Sequence, residues 1–100
     1  PDSLSTGLQA LSDHTRLKIL KLIAKEPLTQ VEIAKKLRLR APTINHHLKI
    51  LRLASLVTKT YPDDDPKHTR YSIRGGRVDE LCSTIRTFLG SYVEPPAGTQ

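Results

Sequence analysis

The segment Arg40–Arg52, Arg-Ala-Pro-Thr-Ile-Asn-His-His-Leu-Lys-Ile-Leu-Arg, constrains this chain more than any other. Ile44, Leu48 and Leu51 recur at i, i+4 and i+7, the spacing that lines one face of an α-helix. Pro42 fits the first turn of such a helix, where its missing N–H has no carbonyl to reach. Pro42, Thr43, Asn45, His46, Lys49 and Arg52 then cover the opposite face. Amides, hydroxyls, an imidazole and cations are the groups that bond base edges and phosphates. One buried stripe and one face of this chemistry predict a recognition helix. On it, Asn45 and His46 would read bases, and Lys49 and Arg52 would hold phosphates. His47 falls on the Ile44–Leu51 side and reads as a packed histidine bonding a neighbour, with a DNA contact as the alternative. Neighbouring positions on a helix point about 100° apart, so His46 and His47 do not make a chelating pair.

The preceding residues fit the same architecture. A shorter helix is predicted over about Thr29–Leu37, with Val31, Ile33, Ala34 and Leu37 apolar. Thr29 and Glu32 have the spacing of a capping box. Arg38-Leu39-Arg40-Ala41 forms the turn to the recognition helix, and two helices joined this tightly make a helix-turn-helix. Arg40 joins the candidate DNA contacts. Thr29 and Gln30, at a helix N-terminus, either bond a phosphate or serve the cap alone.

Charge falls in the same place. Nine of the 16 Lys and Arg lie in residues 38–77 against three of the ten acids, which leaves seven of each sign elsewhere and puts the whole net +6 here. Such a concentration is the footprint of a polyanion binder. The rest of the chain supplies a scaffold. Leu4, Leu8 and Leu11 suggest a first helix, weakened by Gly7. After Asp13, a second runs over about His14–Lys25, with Leu17, Ile19, Leu20, Ile23 and Ala24 inward, and Pro27 ends it. Leu56–Tyr61 and Thr69–Ile73 are rich in β-formers and predict a hairpin around Pro62–Pro66. Lys59, Lys67, His68 and Arg70 flank its loop and would reach DNA beside the recognition helix. Asp63, Asp64 and Asp65 at the tip are expected to stay solvated, away from phosphate. Gly75-Gly76 reads as a break before a last helix over about Arg77–Tyr92.

The expected fold is mainly α with a small β-hairpin, a winged helix-turn-helix of order α-α-α-α-β-β-α. It would fill residues 1–93, with a disordered tail over 94–100. Leu4, Leu8 and Leu11 on the first helix, and Val78, Leu81, Cys82, Ile85, Phe88, Leu89 and Tyr92 on the last, are expected to meet a second copy as a homodimer, because the core between them looks complete without them. Packing within one copy is the alternative, and Cys82 on that stripe reads as a small buried hydrophobe. One cysteine allows no internal disulfide and fits the cytoplasm. The chain has no methionine, which predicts a processed chain or a part of a longer one. No phosphate-binding glycine loop, zinc-protease pair or serine elbow is present, so an enzyme is not expected.

The order of these segments resembles the ArsR/SmtB-type winged-helix repressors. Ser12-Asp13-His14-Thr15-Arg16-Leu17-Lys18-Ile19-Leu20 is similar to the opening of their second helix. Pro42-Thr43-Ile44-Asn45-His46-His47-Leu48-Lys49-Ile50-Leu51 is similar to their recognition helix. Leu56-Val57, with the return through Arg70-Tyr71-Ser72-Ile73, is similar to their wing. The resemblance covers about residues 4–90. It implies a homodimer that binds an inverted repeat in duplex DNA and leaves it when an effector binds. The chain departs from the pattern at four places. His14 stands where proline is common, and Arg40-Ala41 where a capping Ser and Gln are. Asn45 replaces a small Ser. The metal ligands of the family are missing: Leu28–Leu37 holds no cysteine, and Arg77–Tyr92 has Asp79 and Glu80 but no His. No metal and no cofactor are therefore expected. A metal-responsive repressor is the lesser variant. A protein-docking module without sequence-specific DNA binding is the alternative from another class.

Overall fold

Five helices and three short strands follow one another as α1 (Asp2–Leu11), α2 (His14–Ile23), β1 (Leu28–Thr29), α3 (Gln30–Leu37), α4 (Ala41–Leu53), β2 (Val57–Thr60), β3 (Arg70–Ile73) and α5 (Gly75–Leu89). The computed structural model describes residues 2–61, 68–90, 92 and 96–98. Lys67 and the aspartates at 63–65 lie outside the described residues, as do 94, 95, 99 and 100 of the tail.

The helix ends follow from local chemistry. Asp13 caps α2, its carboxylate accepting from the Arg16 N–H at 3.0 Å. That bond, the largest influence on the group, holds the Asp13 carboxyl below its ordinary pKa. The Thr29–Glu32 capping box forms in both directions, at 3.2 and 2.8 Å. Arg40 precedes α4 in extended backbone and gives it no side-chain cap, so Pro42 in the first turn does more of the work of starting that helix. Both α3 and α4 stop in Schellman motifs. Leu39 N–H reaches Ala34 O at 3.1 Å and Leu56 N–H reaches Leu51 O at 2.9 Å. The left-handed position is taken by Arg38 (φ 57°) in one and Ser55 (φ 61°) in the other. The turn of the helix-turn-helix thus closes without a glycine.

The sheet is antiparallel in the order β1-β3-β2. The hairpin pairs Val57 with Ile73 and Thr60 with Arg70. The third strand, β1, is the addition to the expected order. Two residues between Pro27 and α3 pair Leu28 with Tyr71 and Thr29 with Arg70, and so tie the hairpin to the start of α3.

The core gathers Ile19 and Ile23 from α2, Ile33 from α3, and Ile44, Leu48 and Leu51 from α4. Leu56, Tyr71 and Leu81 close it. No polar or charged residue is buried with them among the described residues. Contrary to expectation, α1 and α5 do not flank a finished core but complete it. Leu4 and Leu81, expected against a second copy, are 8% and 2% exposed within one copy. Gly7 allows that approach, since a Cβ there would stand 2.5 Å from a Leu81 methyl carbon. Arg77 pins the junction. Its guanidinium donates to Ala54 O at the end of α4, to Ser3 O on α1 and to the Glu80 carboxylate.

Other expectations also need correction. Leu17 is 48% and Val31 59% exposed, so neither belongs to the core, and Ala24 is exposed beyond the end of α2. Gly75 and Gly76 open α5 rather than break the chain before it. The first turn of a helix asks for no hydrogen bond from its own N–H groups, which is where glycine costs least. Cys82 is exposed, not buried.

Candidate nucleic-acid interface

The two faces of α4 separate cleanly. Ile44, Leu48 and Leu51 are at most 1% exposed, whereas Pro42, Thr43, Asn45, His46, Lys49 and Arg52 are all exposed. Arg40, just before the helix, is exposed as well. Asn45 and His46 lie on the outer face, with Lys49 and Arg52 further along the same helix.

His47 stands apart from this row. Its side chain is 14% exposed and turns inward, with Nδ1 3.3 Å from Arg16 Nη1 and 3.8 Å from Asp13 Oδ2. Burial, the largest influence, lowers its pKa from the ordinary imidazole value. The rings of His46 and His47 meet edge to face, with centroids 5.6 Å apart.

The flanking candidates are more engaged than the sequence suggests. The Thr29 hydroxyl accepts from the Glu32 N–H within the capping box. The Gln30 amide donates to Ala41 O at 2.9 Å, bridging the starts of α3 and α4. Both side chains serve the frame, and the Thr29 N–H is likewise taken by the Glu32 carboxylate. Beside them a cleft of about 410 Å³ runs between α3 and the hairpin, lined by Thr29, Gln30, Val31, Lys59, Tyr61, Thr69 and Tyr71. Lys59 lies 5.5 Å from the centre of the Tyr61 ring, a cation–π contact on the rim. Arg70, on the central strand, is 3.5 Å from Glu32 Oε1, and both groups are nearly half exposed, so water screens the pair. The Glu32 carboxyl is held below its ordinary pKa first by the Thr29 N–H and then by the Thr29 hydroxyl. His68 is exposed at the far end of the hairpin.

Two arginines that the sequence pattern left without a role organise this site from behind. Arg16 ties α4 to α2 and α1, and Arg77 ties its C-terminal end to α5. Each is a lone cation beside apolar helix positions. That is a faint signal, because a long side chain can equally lie in solvent.

The candidate dimer residues divide. Leu8, Phe88, Leu89 and Tyr92 are 41%, 67%, 60% and 53% exposed, and Cys82 is exposed too. Leu11, Val78 and Ile85 are half-buried against the core, while Leu4 and Leu81 belong to it.

Comparison with known proteins agrees with this geometry. Residues 13–59, from the cap of α2 to β2, match the family described as bacterial regulatory protein, arsR family. An HTH-type transcriptional regulator of Mycobacterium tuberculosis is 40% identical over 88 residues, covering 84% of this chain and 72% of that protein. The arsenical resistance operon repressor of Staphylococcus aureus is 33% identical over 82 residues, covering 82% of this chain and 76% of its own length. A solved domain from Mycobacterium bovis, described as a homodimeric winged helix-turn-helix DNA-binding domain, superposes with a TM-score of 0.70. It is 24% identical and covers 88% of this chain and 79% of that one. Fold, exposed basic helix and kinship converge: the chain belongs to the ArsR family of winged helix-turn-helix, DNA-binding transcriptional regulators and is not an enzyme.

Proposed function

We propose that this regulator is a homodimeric repressor that binds an inverted repeat in duplex DNA and works in the cytoplasm. The observation that carries the reading is the division of α4, with a buried aliphatic stripe opposite an exposed row of Thr43, Asn45, His46, Lys49 and Arg52. In this reading α4 enters the major groove and Asn45 and His46 read bases. Arg40, Lys49 and Arg52 grip phosphates, and Gln30 contributes through its backbone N–H at the start of α3, which Thr29 caps. Lys59, Lys67, His68 and Arg70 meet the backbone beside the groove.

Two copies are supported by the apolar side chains that α1 and α5 leave uncovered, Leu8, Phe88 and Leu89, since exposed apolar groups on adjoining helices favour an interface. The Mycobacterium bovis neighbour is itself described as homodimeric, and the Staphylococcus aureus relative as a repressor. An inducing signal other than metal fits the sequence, in which Leu28–Leu37 holds no cysteine and Arg77–Tyr92 no histidine.

The test is selection from a random duplex pool at about 0.15 M salt, close to physiological ionic strength. An enriched inverted repeat with half-sites about one helical turn apart is expected. Enrichment of a single half-site would refute the dimer. Retention without enrichment would refute sequence reading and favour the protein-docking alternative.

A further inference from the structure

We propose that Arg16 is a positioning residue for DNA binding: through an acceptor nitrogen on His47 it fixes the recognition helix to the end of α1, without touching DNA. The inference rests on α4 being the reading helix.

Arg16 lies in the first turn of α2. Its Nε donates to Ala10 O at 2.7 Å and its Nη2 to Gln9 O at 3.1 Å. These are among the last carbonyls of α1, which have no partner within their own helix. The third arm, Nη1, stands 3.3 Å from His47 Nδ1. A guanidinium only donates, so this contact needs a bare lone pair on Nδ1 and the ring proton on Nε2. One planar fork therefore joins α1, α2 and α4. Because α1 packs on α5 and the two leave an apolar face uncovered, the fork also sets how α4 stands relative to that face.

The charged and titratable groups facing the His47 ring are Asp13 and Arg16 at the start of α2 and His46 on its own helix. A proton on Nδ1 would turn the acceptor into a donor and set two cations 3.3 Å apart. Asp13, the one acid there, would attract the protonated ring, but its Oδ2 stands 3.8 Å from Nδ1, farther than the Arg16 guanidinium. Protonation should therefore release the fork. The neutral ring is favoured by burial, so release belongs to pH values below the ordinary imidazole range.

His47→Asn separates the roles, because an amide oxygen near the Nδ1 position accepts from Arg16 and does not titrate. Affinity for one duplex recovered by selection would be measured for wild type, H47N, R16K and the double variant from about pH 8 to about pH 5 at fixed salt, with thermal unfolding alongside. H47N should match wild type at the upper pH. It should bind about tenfold more tightly at the lower, the scale of one hydrogen bond to a charged group. His14, His46 and His68 are present in both proteins. R16K, which keeps the charge and loses the fork, should bind more weakly than wild type at the upper pH and approach it at the lower, and adding H47N should cost nothing more at the upper pH.

A flat ratio with selective wild-type binding would overturn the proposal and leave α4 as the reading helix. Loss of sequence preference in wild type would overturn both. R16K that binds as tightly as wild type at the upper pH, with unchanged thermal unfolding, would also overturn it, and that comparison stands whatever the pH series gives.

Discussion

Gly7→Ala sets two effects of known size against each other at one position. Alanine in a helix interior is favoured over glycine by about 1 kcal/mol. Against that gain, the new Cβ would stand 2.5 and 2.8 Å from the two methyl carbons of Leu81, where carbon pairs prefer about 3.5–4.0 Å. Those methyls are the end of a side chain that could in principle swing aside, but Leu81 is 2% exposed and closely surrounded. Overpacking of this kind costs roughly 1–3 kcal/mol. The net expectation is a loss of about 1 kcal/mol, or a fall in Tm of roughly 4–8 °C for a domain this size. Leu81→Ala alone should cost about 2–5 kcal/mol. In that background only the Arg77 guanidinium, 3.1 Å from the new Cβ, stays close, and Gly7→Ala should stabilise by up to about 1 kcal/mol. The assay is thermal and urea unfolding of the four proteins at one fixed concentration, because self-association makes Tm concentration-dependent. A rise in Tm for Gly7→Ala in the wild-type background, or an equal fall in both, would refute the account of the α1–α5 contact.

Arg38→Gly should raise stability by a few tenths to about 1 kcal/mol in urea unfolding, since glycine takes the left-handed backbone without the cost a side chain carries. Asn45→Ala should lose about 1–3 kcal/mol of discrimination at one base position, read by competition between duplexes, whereas Lys49→Ala should weaken all duplexes alike and flatten the salt dependence. Phe88→Glu should shift the protein to monomer in sedimentation and lower affinity for a two-half-site duplex far more than for one half-site. Asp13 and Glu32 have carboxyls held below their ordinary pKa, so their contribution to stability is complete above the ordinary carboxylate range and is lost as pH falls through and below it. Acid unfolding of Asp13→Asn should accordingly be less steep than that of wild type.

The helices were legible because each buries one stripe, and a stripe has a period. Ile44, Leu48 and Leu51 announce α4, and the Thr29–Glu32 spacing announces the start of α3, from neighbours a few residues apart. β1 has no period: two residues cannot alternate, and their partners, Arg70 and Tyr71, lie far downstream. Leu17 and Val31 mislead for the opposite reason. Each is apolar and sits in a helix, yet packing rather than residue type decides which side faces inward. The two faces of α4 were legible as chemistry, and the engagement of the flanking candidates was less so. Whether Thr29, Gln30 or Arg70 is free depends on partners that come near only in the fold. Arg16 and Arg77 mark the same limit, since their partners are mostly backbone carbonyls, which no sequence pattern displays.

β1 also changes what the hairpin is. A two-stranded ribbon attached only at its ends is marginal in water and would have to be ordered by whatever it touches. Here the central strand is held on both sides, by β2 and by the two residues that lead into α3. The stem carrying Lys59 and Arg70 is therefore tied to the start of α3 as well as closed on itself. On the proposed docking, a duplex meeting α4 would meet the stem at a set offset, with less ordering left for the encounter itself. The spacing between groove and backbone contacts would then act as a ruler, disfavouring a duplex whose groove width departs from it even where every base is right.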